Sequence, residues 1–405
     1  METCDGYAGS ILQIDLTTQS VSRLPLSDSY RENLLGGKSL AVQILYDRMT
    51  GREKALSEEN PVVLASAPLT GSGAPGSARF DLASLSPKDD CPTVSNCGGD
   101  FGIRLKQAGY DAMILSGRCR EPSWLEISGD SVTFHDAKSL WGLMTGLCRE
   151  RLKEILKERR FAALCIGPAG ENLVKFASVM ADGHSTGRAG LGSVLGWKQL
   201  KAITMDGDKK IPLHNSAAVQ EGNRLWYAQL KKFASEETNA ECCTACPLHC
   251  ERHSRGENPI LEELGMDAIA AKAAAKGVED PEIYKAIAFR RSAGPFPAEG
   301  VKPSGEKKGK RRNISHERIS KAFGLEDDGD AFCKNYSEAV CIMGQCMFTV
   351  NGLESGTGGS YLLTQINNVT GIQLTLEDLL ALGARSRETE QKLRKRFENN
   401  TTSAQ

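Results

Sequence analysis

The chain has 405 residues, 40% of them hydrophobic and 25% charged, a globular balance that excludes a single small module and a largely disordered polypeptide. Lys plus Arg number 50 against 51 Asp plus Glu, so no overall field favours nucleic acid or an anionic membrane surface, and small molecules or other proteins are the expected partners. Thirteen cysteines, an odd number at scattered positions, argue against a disulfide framework and point to metal ligation wherever they cluster.

The opening Met1 to Tyr7 has neither the basic start nor the apolar run of a secretory signal, and no stretch approaches the roughly 20 apolar residues of a membrane span. A cytoplasmic protein without a membrane span is the expectation. From residue 6 to residue 206 short apolar strands alternate with turn signals: Ser10–Leu16, Pro61–Ala65, Ala112–Ser116, and Trp124–Phe134 with Gly129-Asp130 as its hairpin turn. This predicts a β-rich N-terminal domain over 1–206, closed by the polar connector Asp206–Pro212. The pattern then turns helical with Ala217–Phe233, and residues 207–291 form a helical domain that carries a cysteine-rich loop. Residues 292–330, with six basic residues between Lys302 and Arg312 and almost no large apolar side chain, form a linker or exposed loop. Such a loop is ordinarily just solvated, and otherwise a docking patch for an acidic partner. Residues 331–398 are again helical, over Tyr336–Phe348, Tyr361–Val369 and a final helix of roughly 20 residues opened by the capping box Thr375–Asp378, before a tail at 399–405. The fold class is therefore α+β, a β-rich domain followed by an α-helical part.

Two kinds of segment carry chemistry. Cys242, Cys243, Cys246 and Cys250 fall within nine residues, and Cys243, Cys246 and Cys250 make a C-x2-C-x3-C run that lets one loop turn three thiolates toward a common centre. A cubane iron-sulfur cluster then needs a remote fourth ligand, for which Cys333, Cys341 and Cys346 are candidates. Tetrahedral zinc, with His249 or His253 replacing a thiolate, is the rival. The glycine-rich segments Gly71–Arg79, Ser95–Gly102 and Gly183–Gly192 offer backbone donors, and two of them an arginine, to a phosphate or polar heterocycle. None fits a dinucleotide or P-loop pattern. Each could be a structural turn, but three beside a cysteine cluster suggest a large organic cofactor.

Read in order, Gly6–Thr17, Ala67–Gly71, Gly109–Ile114, Ile166–Met180 and Gly187–Ile203 resemble the aldehyde ferredoxin oxidoreductases, tungsten-pterin enzymes that oxidise aldehydes to carboxylic acids. The resemblance implies a β base holding two pterins and a bridging magnesium, with Arg79, Asn96, Gly98, His184, Ser185, Gly187 and Arg188 at the matching positions and Asn96 and Ser185 as magnesium contacts. His184 stands where the family usually has arginine, and Ser185 where it has alanine. The resemblance also implies a 4Fe-4S cluster on Cys243, Cys246, Cys250 and Cys346. It continues through Glu262–Asp267 and Cys341–Cys346, which match two pterin-contacting motifs whose leading aspartates are Glu262 and Cys341 here, and it covers residues 1–290 and 331–398. Much of the family's helical middle is missing, since only eleven residues separate Cys250 from Glu262. Glu262 is the one carboxylate nominated for proton transfer, whereas His316 and Glu263 read as solvated or helix-start residues.

The activity this implies is oxidation of an aldehyde at a tungsto- or molybdo-bispterin centre, with electrons passing through the 4Fe-4S cluster to ferredoxin or another small carrier. The alternative is a non-catalytic cofactor-binding or electron-transfer subunit. A homodimer or accessory subunit would supply missing walls of the site.

Overall fold

The computed structural model describes residues 4–157, 159–187, 189–232, 243–248, 330–351 and 358–402. Two six-stranded mixed sheets build the first half. The first uses β1 (Ser10–Asp15), β2 (Ser20–Pro25), β3 (Val62–Ser66), β4 (Phe80–Leu85), β5 (Pro92–Cys97) and β6 (Ala112–Ser116), in the order β2-β1-β6-β3-β4-β5. The second uses β7 (Ser123–Ser128), β8 (Ser131–Asp136), β9 (Ala162–Cys165), β10 (Val179–Ala181), β11 (His184–Thr186) and β12 (Leu200–Asp206), in the order β11-β10-β9-β12-β7-β8. Among the described residues only β1–β6 and β7–β12 pair in parallel. The predicted hairpin forms with Ser128 opposite Ser131, leaving Gly129 and Asp130 as its two-residue turn.

Strands β3 and β4 are buried at every position, mostly apolar as strands covered on both faces should be, with Ser66, Asp81 and Ser84 as their buried polar residues. On one face Leu12, Leu64, Phe80 and Leu82 meet Leu125, Leu164 and Ile203 from the other sheet. On the opposite face Val63, Ala83 and Ile114 meet a helical layer. The helices of this half are α1 (Asp28–Leu34), α2 (Gly37–Arg48), α3 (Phe101–Gln107), α4 (Thr145–Ile155), α5 (Pro168–Glu171) and α6 (Leu191–Trp197). Ala41 and Leu45 of α2 supply that layer.

After these come α7 (Ser216–Lys231), α8 (Asp330–Ile342), α9 (Met347–Asn351), α10 (Gly358–Thr370) and α11 (Leu376–Thr402). They share a core of Val219, Trp226, Tyr336, Val340, Leu362, Ile366 and Leu379, which Leu35, Leu69 and Ala74 of the first half also enter. The α+β reading therefore holds. Two helix boundaries differ from the expectation. The single helix predicted over Tyr336–Phe348 is two, α8 and α9, because Gly344 turns the chain with φ near +81°, a conformation that favours glycine. The final helix has 27 residues rather than roughly 20. Its capping box forms as predicted, with Asp378 accepting from the Thr375 N–H and Thr375 accepting from the Asp378 N–H. Beyond the predicted length, Phe397 joins Leu393 in burying against α2, and Arg396 donates to the Tyr46 carbonyl at 2.7 Å.

Candidate functional site

The site begins where the sheet of β3, β4 and β5 meets the C-terminal helices. Arg79 directly precedes β4, and the two-residue period of a strand puts it on the same face as Asp81. Asn96 of β5 is the register partner of Asp81 and donates its amide to that carboxylate at 3.1 Å. Both Arg79 and Asp81 are buried. Among the described residues the Arg79 Nε and one Asp81 oxygen have no hydrogen-bond partner, which marks polar groups open to something besides those residues. Burial pushes the Asp81 carboxyl up to about 7, against the lowering pull of Asn96, Lys38 and Arg79. Burial works against the charge on Arg79 as well, but Cys346, Cys243, Cys97 and Cys341 surround it and hold it above its ordinary value. No carboxylate among the described residues forms an ion pair with it. A buried guanidinium faced by sulfur is a setting for a thiolate-rich or anionic group.

Two loops bring in Cys346 and Cys243. Residues 343–346 dock on the glycine-rich turn before Arg79: Leu69 N–H donates to the Met343 carbonyl at 3.1 Å, Cys346 N–H to Gly76 at 3.0 Å, and the Gln345 amide to Pro75 at 2.5 Å. Gly76 permits this, since a Cβ there would lie 2.5 Å from Thr349. The turn is held from behind by Lys106 of α3, fully buried, which donates to the carbonyls of Ala67 (2.6 Å) and Pro68 (3.1 Å) and lies over the Tyr7 ring. Burial depresses its ammonium to about 8, partly countered by Asp111.

Cys243 arrives from the other side. A Cβ on Gly98 would sit 2.5 Å from its sulfur and 2.8 Å from an Arg79 nitrogen, so the glycine clears the space in which the two meet. His184 Nε2 lies 3.5 Å from the same sulfur. The ring is placed by the β10–β11 turn and by Asp182, whose carbonyl faces Nδ1 at 3.2 Å and whose carboxylate accepts from Asp100 and Ala163 N–H groups. Next along β11, Ser185 is exposed opposite Met180, and Thr186 bonds the Ser95 hydroxyl at 3.0 Å, tying β11 beside β5 and Asn96.

Arg79, Asn96, Gly98, His184, Cys243 and Cys346 thus converge. Gly187 is buried with φ near +65°. Cys246 packs against the helical core. Arg188, Cys250, Glu262 and Asp267 lie outside the described residues, and among the described residues no three Cys, His, Asp or Glu side chains gather as a metal site. Sequence reading missed Asp81 and the buried Cys97, whose thiol burial pushes up to about 12. The available signal was a lone charged residue in a mostly apolar strand.

The family description "Aldehyde ferredoxin oxidoreductase, N-terminal domain" matches residues 11–207. The chain is similar to the tungsten-containing aldehyde ferredoxin oxidoreductase of Thermococcus kodakarensis, 37% identical over 209 residues that make 51% of this chain and 34% of that one. It is also similar to the aliphatic sulfonate oxidoreductase WOR-like subunit of Pyrococcus furiosus, 34% identical over 63% of this chain and 43% of that one. The match to the aldehyde ferredoxin oxidoreductase thus spans about a third of that relative's length. Among solved structures, the active site complex BamBC of benzoyl coenzyme A reductase, with 1,5 dienoyl-CoA, shares the fold at a TM-score of 0.74 and 18% identity, over 98% of this chain and 90% of that one. No helix among the described residues is long and apolar enough to cross a membrane.

Proposed function

The chain belongs to the aldehyde ferredoxin oxidoreductase family through its residues 11–207, and from that premise we propose that it binds a tungsto- or molybdo-bispterin, a magnesium ion and a 4Fe-4S cluster and oxidises an aldehyde to the acid. The observation that carries this is Arg79: a buried guanidinium with an unpartnered Nε, set among Cys243 and Cys346, is suited to hold an organic anion on one side and a thiolate-bound cluster on the other. Bound there, the metal-pterin group would accept two electrons from substrate and the cluster would pass them singly to ferredoxin or a similar carrier.

The chain's own residues have separable tasks. Arg79 and Arg188 bind the pterin, Asn96 and the Ser185 carbonyl offer oxygen to magnesium, and Cys243, Cys246, Cys250 and Cys346 ligate the cluster. The carboxylate of Glu262 moves the proton released from substrate or water. Gly98 and Gly187 let backbone approach the cofactor. The second reading, an electron-transfer or cofactor-binding subunit within a larger assembly, is favoured by the limited share of the relatives' length that the chain matches.

Metal analysis and visible absorption of anaerobically purified protein separate the readings. Tungsten or molybdenum with about four iron atoms per chain supports the enzyme. Iron alone supports the electron-transfer subunit, and neither metal would defeat both.

A further inference from the structure

Beyond assigning Cys243 to a cluster, the geometry places a second group on the same sulfur. The His184 ring is oriented at both ends. Its Nδ1 faces the Asp182 carbonyl at 3.2 Å and its Nε2 faces the Cys243 Sγ at 3.5 Å. A sulfur bound to iron has no hydrogen to give, so the contact is a hydrogen bond in the tautomer that carries its hydrogen on Nε2.

The ring has no freedom to turn away cheaply. Asp182 is pinned by N–H groups from Ala163 at 2.8 Å and Asp100 at 3.1 Å, and Gly99, where a Cβ would lie 3.3 Å from Nδ1, leaves the ring its place. Thr244, next to Cys243, bonds Asp100, so the cysteine loop and the histidine turn are tied to one anchor. From this we infer that His184 is a positioning residue for the electron-transfer centre: it donates an N–H···S hydrogen bond to Cys243 and raises the cluster's reduction potential. The inference rests on the iron-sulfur reading proposed above. An N–H donor at a ligating sulfur stabilises the more electron-rich, reduced cluster, and hydrogen bonds to sulfur are one of the means by which proteins set such potentials. His184 also stands between the glycine-rich loop and the cysteine loop, so it couples the two halves of the site through one side chain.

The test is a redox titration of the iron-loaded full chain, followed by EPR, with His184→Ala and His184→Gln beside wild type. The Ala variant should keep its iron but titrate at a more negative potential, and the Gln variant, whose amide retains an N–H donor, should fall between them. Iron lost from the Ala variant but kept in the Gln variant also supports a donor role. An unchanged potential in the Ala variant at full iron content overturns the inference, as does loss of iron from both variants, which would make the histidine a ligand or a structural prop. Absence of any iron-sulfur signal from the wild-type chain would instead remove the reading on which the inference stands.

Discussion

Lys106 offers a test in which two opposing energies are read separately by pH. Its ammonium is fully buried beneath the turn that leads to Arg79, held by the Ala67 and Pro68 carbonyls. Burial lowers it from 10.5 to about 8. Below pH 8 the folded and unfolded chains both carry the proton, and the cost of burying the charge, about 3 kcal/mol for that difference, is present in full. Between pH 8 and 10.5 the unfolded chain holds more protons, so this contribution raises stability as the pH rises. Replacement by methionine, similar in shape, removes the charge but takes from the Pro68 carbonyl its donor, at about 1–3 kcal/mol, while the Ala67 carbonyl keeps the Thr70 N–H at 2.9 Å. At pH 7 these terms nearly cancel, and Lys106→Met should unfold in urea within about 2 kcal/mol of wild type. At pH 10.5 wild type has recovered its charge-burial cost and the variant should lag by about 3 kcal/mol more than at pH 7. Tyrosine and cysteine titrations are common to both proteins and drop out of the difference. A difference that stays constant from pH 7 to 10.5 would mean that the amine stays charged throughout, held by the Tyr7 ring and the carbonyls, and the reasoning would fail.

Gly98→Ala should drive a Cβ into the Cys243 sulfur and Arg79, lowering iron content about tenfold with far-UV circular dichroism unchanged; normal iron would show that the loop yields. Cys346→Ala should lower iron per chain or alter the cluster's EPR signal, whereas Cys333→Ala, buried in the helical core away from Arg79, should cost stability alone; equal iron and spectra in the Cys346 variant would remove it as a ligand. Arg79→Ala and Arg188→Ala should reduce pterin, measured by fluorescence after oxidative release, with iron near its wild-type level, and the reverse pattern would contradict their assignment. If the family's enclosing middle is shortened between Cys250 and Glu262 as the resemblance implies, the cofactor-loaded chain alone should reduce a viologen dye only weakly with aldehyde; turnover equal to a full-length member would refute this.

The strand half was legible because its signals are local. Alternation, apolar runs and a Gly-Asp turn each report on neighbours a few residues apart, and Ser128 pairing with Ser131 follows from them. The break at Gly344 was not, since apolar spacing continues from Ile342 to Phe348 and only the docking on Leu69 and Gly76 decides where the helix must stop. Likewise α11 outran its expected length because Phe397 and Arg396 gain contacts from α2, and no helix signal foretells those. At the site, the resemblance supplied Arg79, Asn96 and Gly98, and the residue spacing supplied Cys243. That His184 and Cys243, 59 positions apart, would meet, or that Asp81 would be the acceptor for Asn96, is information held by the packing alone.

The bonds joining residues 343–346 to the turn at 69–76 close a loop of about 270 residues, and this has an effect on the order of assembly. During synthesis both sheets can form while the segment bearing Cys346 is still inside the ribosome. One wall of the Arg79 pocket is then missing, and Arg79 stays open on the side that Cys346 will later cover. Whatever is to be held there can enter before the last helices arrive, and their arrival seals it in.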